Sequence, residues 1–135
     1  MFKSKKILAV VMARGGSKGI KLKNLKKLKG KSLVGIAGKF CKNMKIFDKS
    51  IISTDHALIG KEGKLNGLEF FFQRPKNISG SLVADEKVLR HGLISAEKFF
   101  KFKFDIIVSL PPTSPLRKKN DVFKNIKLLI KNKND

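Results

Sequence analysis

The run ILAVVM, Ile7–Met12, is apolar without a break and half β-branched. Such a strand is suited to burial on both faces, which points to a parallel sheet covered by helices on each side. Three more β-like runs follow: Ser50 to Thr54, Leu68 to Phe72 and Phe104 to Leu110. Helical periodicity fills the gaps between them. Leu33, Ala37, Phe40, Cys41 and Met44 share one face, and HALIGKEGKLNG reads as a short, glycine-weakened helix. Val88, Leu89, Leu93, Ala96, Phe99 and Phe100 recur in a longer helix with Asp85 as its N-cap. A last helix starts near Asn120 and carries Val122, Phe123, Ile126, Leu129 and Ile130. Strands alternating with helices predict βαβ units, right-handed crossovers and functional loops at the carboxyl ends of the strands.

The 135 residues suffice for one domain with a real core, and 41% of them are hydrophobic. The N-terminus resembles a secretory leader, but its apolar run spans only Ile7 to Ala13, with Arg14 where small residues should follow. It reads instead as the first strand of a cytoplasmic protein without membrane attachment. The single cysteine, Cys41, rules out an internal disulfide and falls on an apolar helix face, so it is expected in the core. The net charge of +21 raises the question of nucleic acid. However, only four of the 31 cations are arginine, the lysines are spread over almost every segment, and Trp and Tyr are absent. That pattern fits a solvated surface better than a stacking platform, and nucleic acid is not the expected partner.

The segment that carries chemistry is ARGGSKGIKLKN, Ala13 to Asn24, directly after the first strand. Gly15 and Gly16 allow positive φ and close backbone approach, successive N–H groups form an anion nest, and Arg14 and Lys18 add full charges. The spacing matches neither a Walker A loop nor G-x-G-x-x-G. A phosphate cradle is weighed here against a plain glycine-rich turn with incidental lysines.

With STD at Ser53 to Asp55, RP at Arg74-Pro75 and PTSPLR at Pro112 to Arg117, the loop resembles the N-acylneuraminate cytidylyltransferases, the CMP-sialic acid synthetases. The four motifs arrive in the family's order and cover nearly all of the chain. The resemblance implies an α/β, Rossmann-like nucleotidyltransferase sandwich with a mostly parallel sheet flanked by helices, C-terminally truncated. Residues 1–135 would be its CTP-binding part. It implies the reaction of CTP with a nonulosonic acid to give the CMP-sugar and diphosphate.

Residue by residue, the resemblance and the loop chemistry imply that Arg14, Lys18 and Lys23 neutralise the triphosphate. Ala13, Gly15, Gly16, Ser17 and Asn24 would complete the nucleotide contacts. Arg74, Thr113 and Ser114 join them from the ends of later strands. Mg²⁺ is expected from the family, with its ligands in a segment beyond residue 135, and the full-length family forms homodimers. An alternative reading is a catalytically incomplete nucleotide-binding fragment.

The chain departs from the family at Pro111, where relatives commonly carry a glutamine that contacts the sugar. Legionaminic and pseudaminic acids are therefore as open as sialic acid. Ser81 stands where many relatives have an acid, and Lys21 where many have proline. Asp55 ends the second strand as a lone carboxylate, read as a ligand group or as the cap of the next helix. His56 and His91 lack metal-ligand spacing and are expected in structural or surface roles. Arg117 has a surface cation as its bland reading.

Overall fold

The computed structural model describes residues 4–16, 22–80, 83–112 and 118–132. Its first strand, β1, is Ile7–Met12, followed by a two-residue-per-strand hairpin of β2, Lys27–Leu28, and β3, Lys31–Ser32. Helix α1 spans Leu33–Asn43, β4 Lys49–Ser53 and α2 Ala57–Leu65. Then come α3, Asp85–Phe100, β5, Ile106–Ser109, and α4, Lys119–Asn132.

The main sheet has the order β4-β1-β5 and is parallel throughout, with Val10 opposite Ile51 on one side and Ser109 on the other. The period of two sorts β1 between two cores. Ala9 and Val11 pack with Val34, Ala37, Cys41 and Ile59 under α1 and α2. Leu8 and Val10 pack with Ile51 and Ala96 under α3. Ile7 joins Ile106 and Ile126, which seats α4. Residues 7–11 are fully buried, and each of the Ile, Leu and Val side chains among them contributes about 1.5–3 kcal/mol. The unbroken apolar run is thus explained by a sheet covered on both faces. No helix among the described residues is long and apolar enough to cross a membrane.

The expected third strand, Leu68 to Phe72, is reduced to a single parallel bridge between Ile51 and Glu69. Glu69 bonds β4 in both directions, through its N–H to Ser50 O and its carbonyl to Ile52 N–H. The ladder stops there because Phe70 packs into the α1–α2 core while Phe71 and Phe72 both pack into the α3 core. Two successive side chains on one side break the strand's alternation. Backbone contact resumes at Arg74, whose N–H donates to Thr54 O at 2.7 Å.

Asp85 is not the N-cap of α3. Ala84 holds that position in extended conformation with no side-chain cap, and Asp85 stands in the first helical turn, where its charge suits the helix dipole. Asp55 does not cap α2 either. That role falls to His56, whose Nδ1 accepts from Leu58 N–H at 3.2 Å. The β2–β3 hairpin was not expected from the lysine-rich stretch that forms it. Its turn places Lys29 and Gly30 at φ 53° and 82°, the left-handed pair that a two-residue hairpin needs. Ser32 then caps α1, its Oγ accepting from Gly35 N–H at 2.9 Å and donating to Glu62 Oε2 at 2.6 Å.

Candidate functional site

The carboxyl ends of β1 and β5 open into a cavity of about 260 Å³. Loop residues after β1 supply Arg14, Lys23 and Asn24, while Arg74, Ile78, Gly80, Val83, Asp85 and Val88 come from the segment that leads into α3. Met12, Pro111 and Pro112 complete the lining. Three guanidinium or ammonium groups therefore converge where a doubly wound sheet places its ligands.

A backbone contact places Arg14, and side-chain contacts fix Arg74. Arg14 is half-buried, and its carbonyl accepts from Asn24 Nδ2 at 3.0 Å, which closes the loop on itself. Asn24 is buried, so its Oδ1 is the part left for a ligand. Leu22 sits in the left-handed region at φ 50° and turns the chain into the short 3-10 helix that carries Lys23 and Asn24. A non-glycine residue held there costs about 1–3 kcal/mol, a strain that the surrounding packing must sustain.

Arg74 is only 5% exposed. Its Nε donates to Ser53 Oγ at 3.1 Å and its second terminal nitrogen to Ser53 O at 2.7 Å. Burial lowers its pKa from the ordinary arginine value, and the Arg14 charge acts in the same sense. The carboxylates of Asp55 and Asp85 oppose that shift. A guanidinium stays protonated through such changes, so Arg74 is a fixed positive charge beside the cavity.

Part of the glycine turn lies within the described residues. Gly15 N–H is already engaged, donating to Asp55 Oδ1 at 2.7 Å. What Gly15 contributes is the missing side chain, since a Cβ there would stand 3.0 Å from that of His56. At Gly16 a Cβ would lie 3.7 Å from an Arg14 guanidinium nitrogen, so the arginine folds back over its own turn.

Of the residues expected at the nucleotide, Arg14, Lys23, Asn24 and Arg74 line one cavity. Ala13 is fully buried and bonds Ser53 O through its N–H at 3.0 Å; it supports the loop from beneath. Gly15 and Gly16 shape the turn without lining the cavity. Ser17, Lys18, Thr113 and Ser114 lie outside the described residues, as do Lys21, Ser81 and Arg117. Sequence reasoning missed Asp85 as a lining residue, because a cap reading already accounted for its acid. His91 has its Nδ1 buried without a hydrogen-bond partner among the described residues, and its ring meets Phe72 edge-on at 5.2 Å. Burial, and secondarily the Arg74 charge, hold its pKa below the usual histidine value.

The described residues do not by themselves form a magnesium site. No three His, Cys, Asp or Glu side chains cluster among them, and Asp85 is the one acid at the cavity.

Known proteins resemble this chain in sequence and in fold. The cytidylyltransferase family profile matches residues 8–135. The post-translational flagellin modification protein B of Campylobacter coli is 36% identical over 96% of this chain and 55% of its own length. The CMP-N,N'-diacetyllegionaminic acid synthase of Campylobacter jejuni is 33% identical over 81% of this chain and 46% of its own. N-acylneuraminate cytidylyltransferases are among the relatives as well. A CMP:2-keto-3-deoxy-manno-octonic acid synthetase structure, complexed with CTP, superposes with a TM-score of 0.74 at 17% identity, over 96% of this chain and 49% of that one. The chain spans about half the length of the two Campylobacter proteins and of the solved structure, and about a quarter of the N-acylneuraminate cytidylyltransferases. On the family match across its whole sheet and site, this chain belongs to the cytidylyltransferase family.

Proposed function

We propose that this chain forms the CTP-binding part of a cytidylyltransferase that activates a nonulosonic acid, CTP plus the N-acylneuraminate-type acid giving its CMP conjugate and diphosphate. The observation that carries the reading is the convergence of Arg14, Lys23 and Arg74 on one cavity at the carboxyl ends of the sheet. Three cations lining one cavity suit an anionic nucleotide better than a neutral metabolite.

In this reading the sugar's anomeric hydroxyl oxygen bonds to the α-phosphorus of CTP. The bond from that phosphorus to the bridging oxygen breaks, diphosphate leaves with the bond's electrons, and the hydroxyl proton is lost. Such a transfer depends on positioning and charge neutralisation. Arg14 and Lys23 hold the phosphates against their mutual repulsion and stabilise the departing charge, and Lys18 is the further cation the loop sequence offers for this task. Magnesium, when bound with the nucleotide, would supply further charge neutralisation. The names of the relatives support a sugar acid as the second substrate, and legionaminic-type and sialic-type acids both belong to the proposed class.

Calorimetric titration with CTP and Mg²⁺ tests the reading, with Arg14→Ala as the comparison. Micromolar binding that the substitution weakens by about 2 kcal/mol is expected for a lost charge-assisted contact. Binding that ignores Arg14, or no binding of any triphosphate, overturns it. Turnover is then assayed with a panel of nonulosonic acids.

A further inference from the structure

We infer that Asp85 reads the nucleobase: its carboxylate accepts a hydrogen bond from the exocyclic amine of cytosine and thereby selects CTP over UTP. This rests on the proposed CTP site and deepens it.

The charge pattern of the cavity is the starting point. Its other charged lining groups, Arg14, Lys23 and Arg74, are all cations, and a ligand that offered only phosphate would gain nothing from an acid on the wall. Asp85 makes no hydrogen bond and no close ion pair among the described residues, although its charge acts on the Arg74 guanidinium. A carboxylate whose oxygens accept no hydrogen bond, in a cationic site, suits a ligand that carries a donor as well as an anion.

The surroundings say which kind of donor. Val88 lies one turn along α3 from Asp85, and Val83 precedes it by two residues. With Ile78 and Met12 they give this cavity apolar surface, which suits the faces of a planar heterocycle more than a hydroxylated sugar. Arg74 adds the complementary half. Two of its nitrogens are fixed on Ser53, and its Nη1 makes no hydrogen bond among the described residues. A guanidinium donor together with a carboxylate acceptor matches the cytosine edge, which presents O2 and N3 as acceptors and the N4 amine as donor. Uracil puts a carbonyl oxygen where the amine would be, so the same carboxylate would face an oxygen.

The test is calorimetry of CTP, UTP and inorganic tripolyphosphate on the wild-type chain and on Asp85→Asn, each with and without Mg²⁺. Thermal unfolding confirms that the exposed substitution leaves the fold intact. The wild type should prefer CTP over UTP by about tenfold or more, as expected for one good base contact. Asp85→Asn should bring the two within roughly threefold, because an amide can turn its NH₂ toward the uracil carbonyl. Tripolyphosphate affinity should hold or rise. Equal changes for CTP and UTP overturn the inference. If they occur only with Mg²⁺ they assign Asp85 to the metal, and if they occur without it, to the ribose. Wild-type binding of tripolyphosphate with no preference between CTP and UTP also overturns it, yet leaves the anion site standing. Failure to bind any of the three sinks the proposed function and this inference together.

Discussion

Asp55 Oδ1 accepts a 2.7 Å hydrogen bond from Gly15 N–H, so the end of β4 holds the turn that follows β1. The same residue is anchored from the other side, its carbonyl accepting from Gln73 Nε2 at 2.9 Å. Arg14 is aimed by this tie, because its neighbour cannot move without breaking it. Asp55→Ala should therefore lower stability by about 2 kcal/mol in urea titrations, the range for a hydrogen bond to a charged acceptor. It should also weaken CTP binding, whereas Asp55→Asn, which still offers an oxygen to Gly15, should lose less of both. Unchanged unfolding and unchanged binding in Asp55→Ala would show that the turn is held by packing on His56 instead.

Gly60 on α2 faces the Phe70 ring so closely that a Cβ would collide with its edge. The collision is with a ring already wedged in the α1–α2 core, not with a flexible side-chain end. Gly60→Ala normally favours a helix, yet here it should cost about 1–3 kcal/mol through overpacking. Phe70→Leu should relieve it, so the double variant should lose less than the two single losses combined. Chemical denaturation of the four proteins measures the coupling.

The sequence disclosed most of the architecture because β1, α1, α3 and α4 have long periodic patterns and the register of a doubly covered sheet follows from them. Ile7–Met12 was legible to the residue. The Leu68 to Phe72 strand was over-read because local β-propensity is silent on which core each phenylalanine enters. Lys27–Ser32 was under-read, since its hairpin depends on backbone conformation at Lys29 and Gly30 rather than on any apolar alternation. At the site, Arg14, Lys23, Asn24 and Arg74 were found through motif resemblance. The engagement of Gly15 with Asp55 was not visible, because the partners stand 40 residues apart and only the parallel pairing of β1 with β4 brings them together.

His91 gives the fold a pH dependence with a definite sign. Its ring lies against Phe72, and its pKa is held below the 6.5 of a free histidine, first by burial and second by the charge of Arg74. Above about pH 7 the imidazole is neutral in both folded and unfolded chains and adds nothing to the pH slope. As pH falls through 6.5, the unfolded chain takes up its proton first, so the folded state loses relative stability. The loss continues until the lowered folded-state pKa is reached, then levels off. Urea midpoints taken from pH 7.5 to pH 5 should therefore fall for the wild type and fall less for His91→Leu. Loss of the ring contact shifts the variant's midpoints at every pH, so the slope is the readout. Equal slopes in the two proteins would place the imidazole in solvent and remove Arg74 from its surroundings.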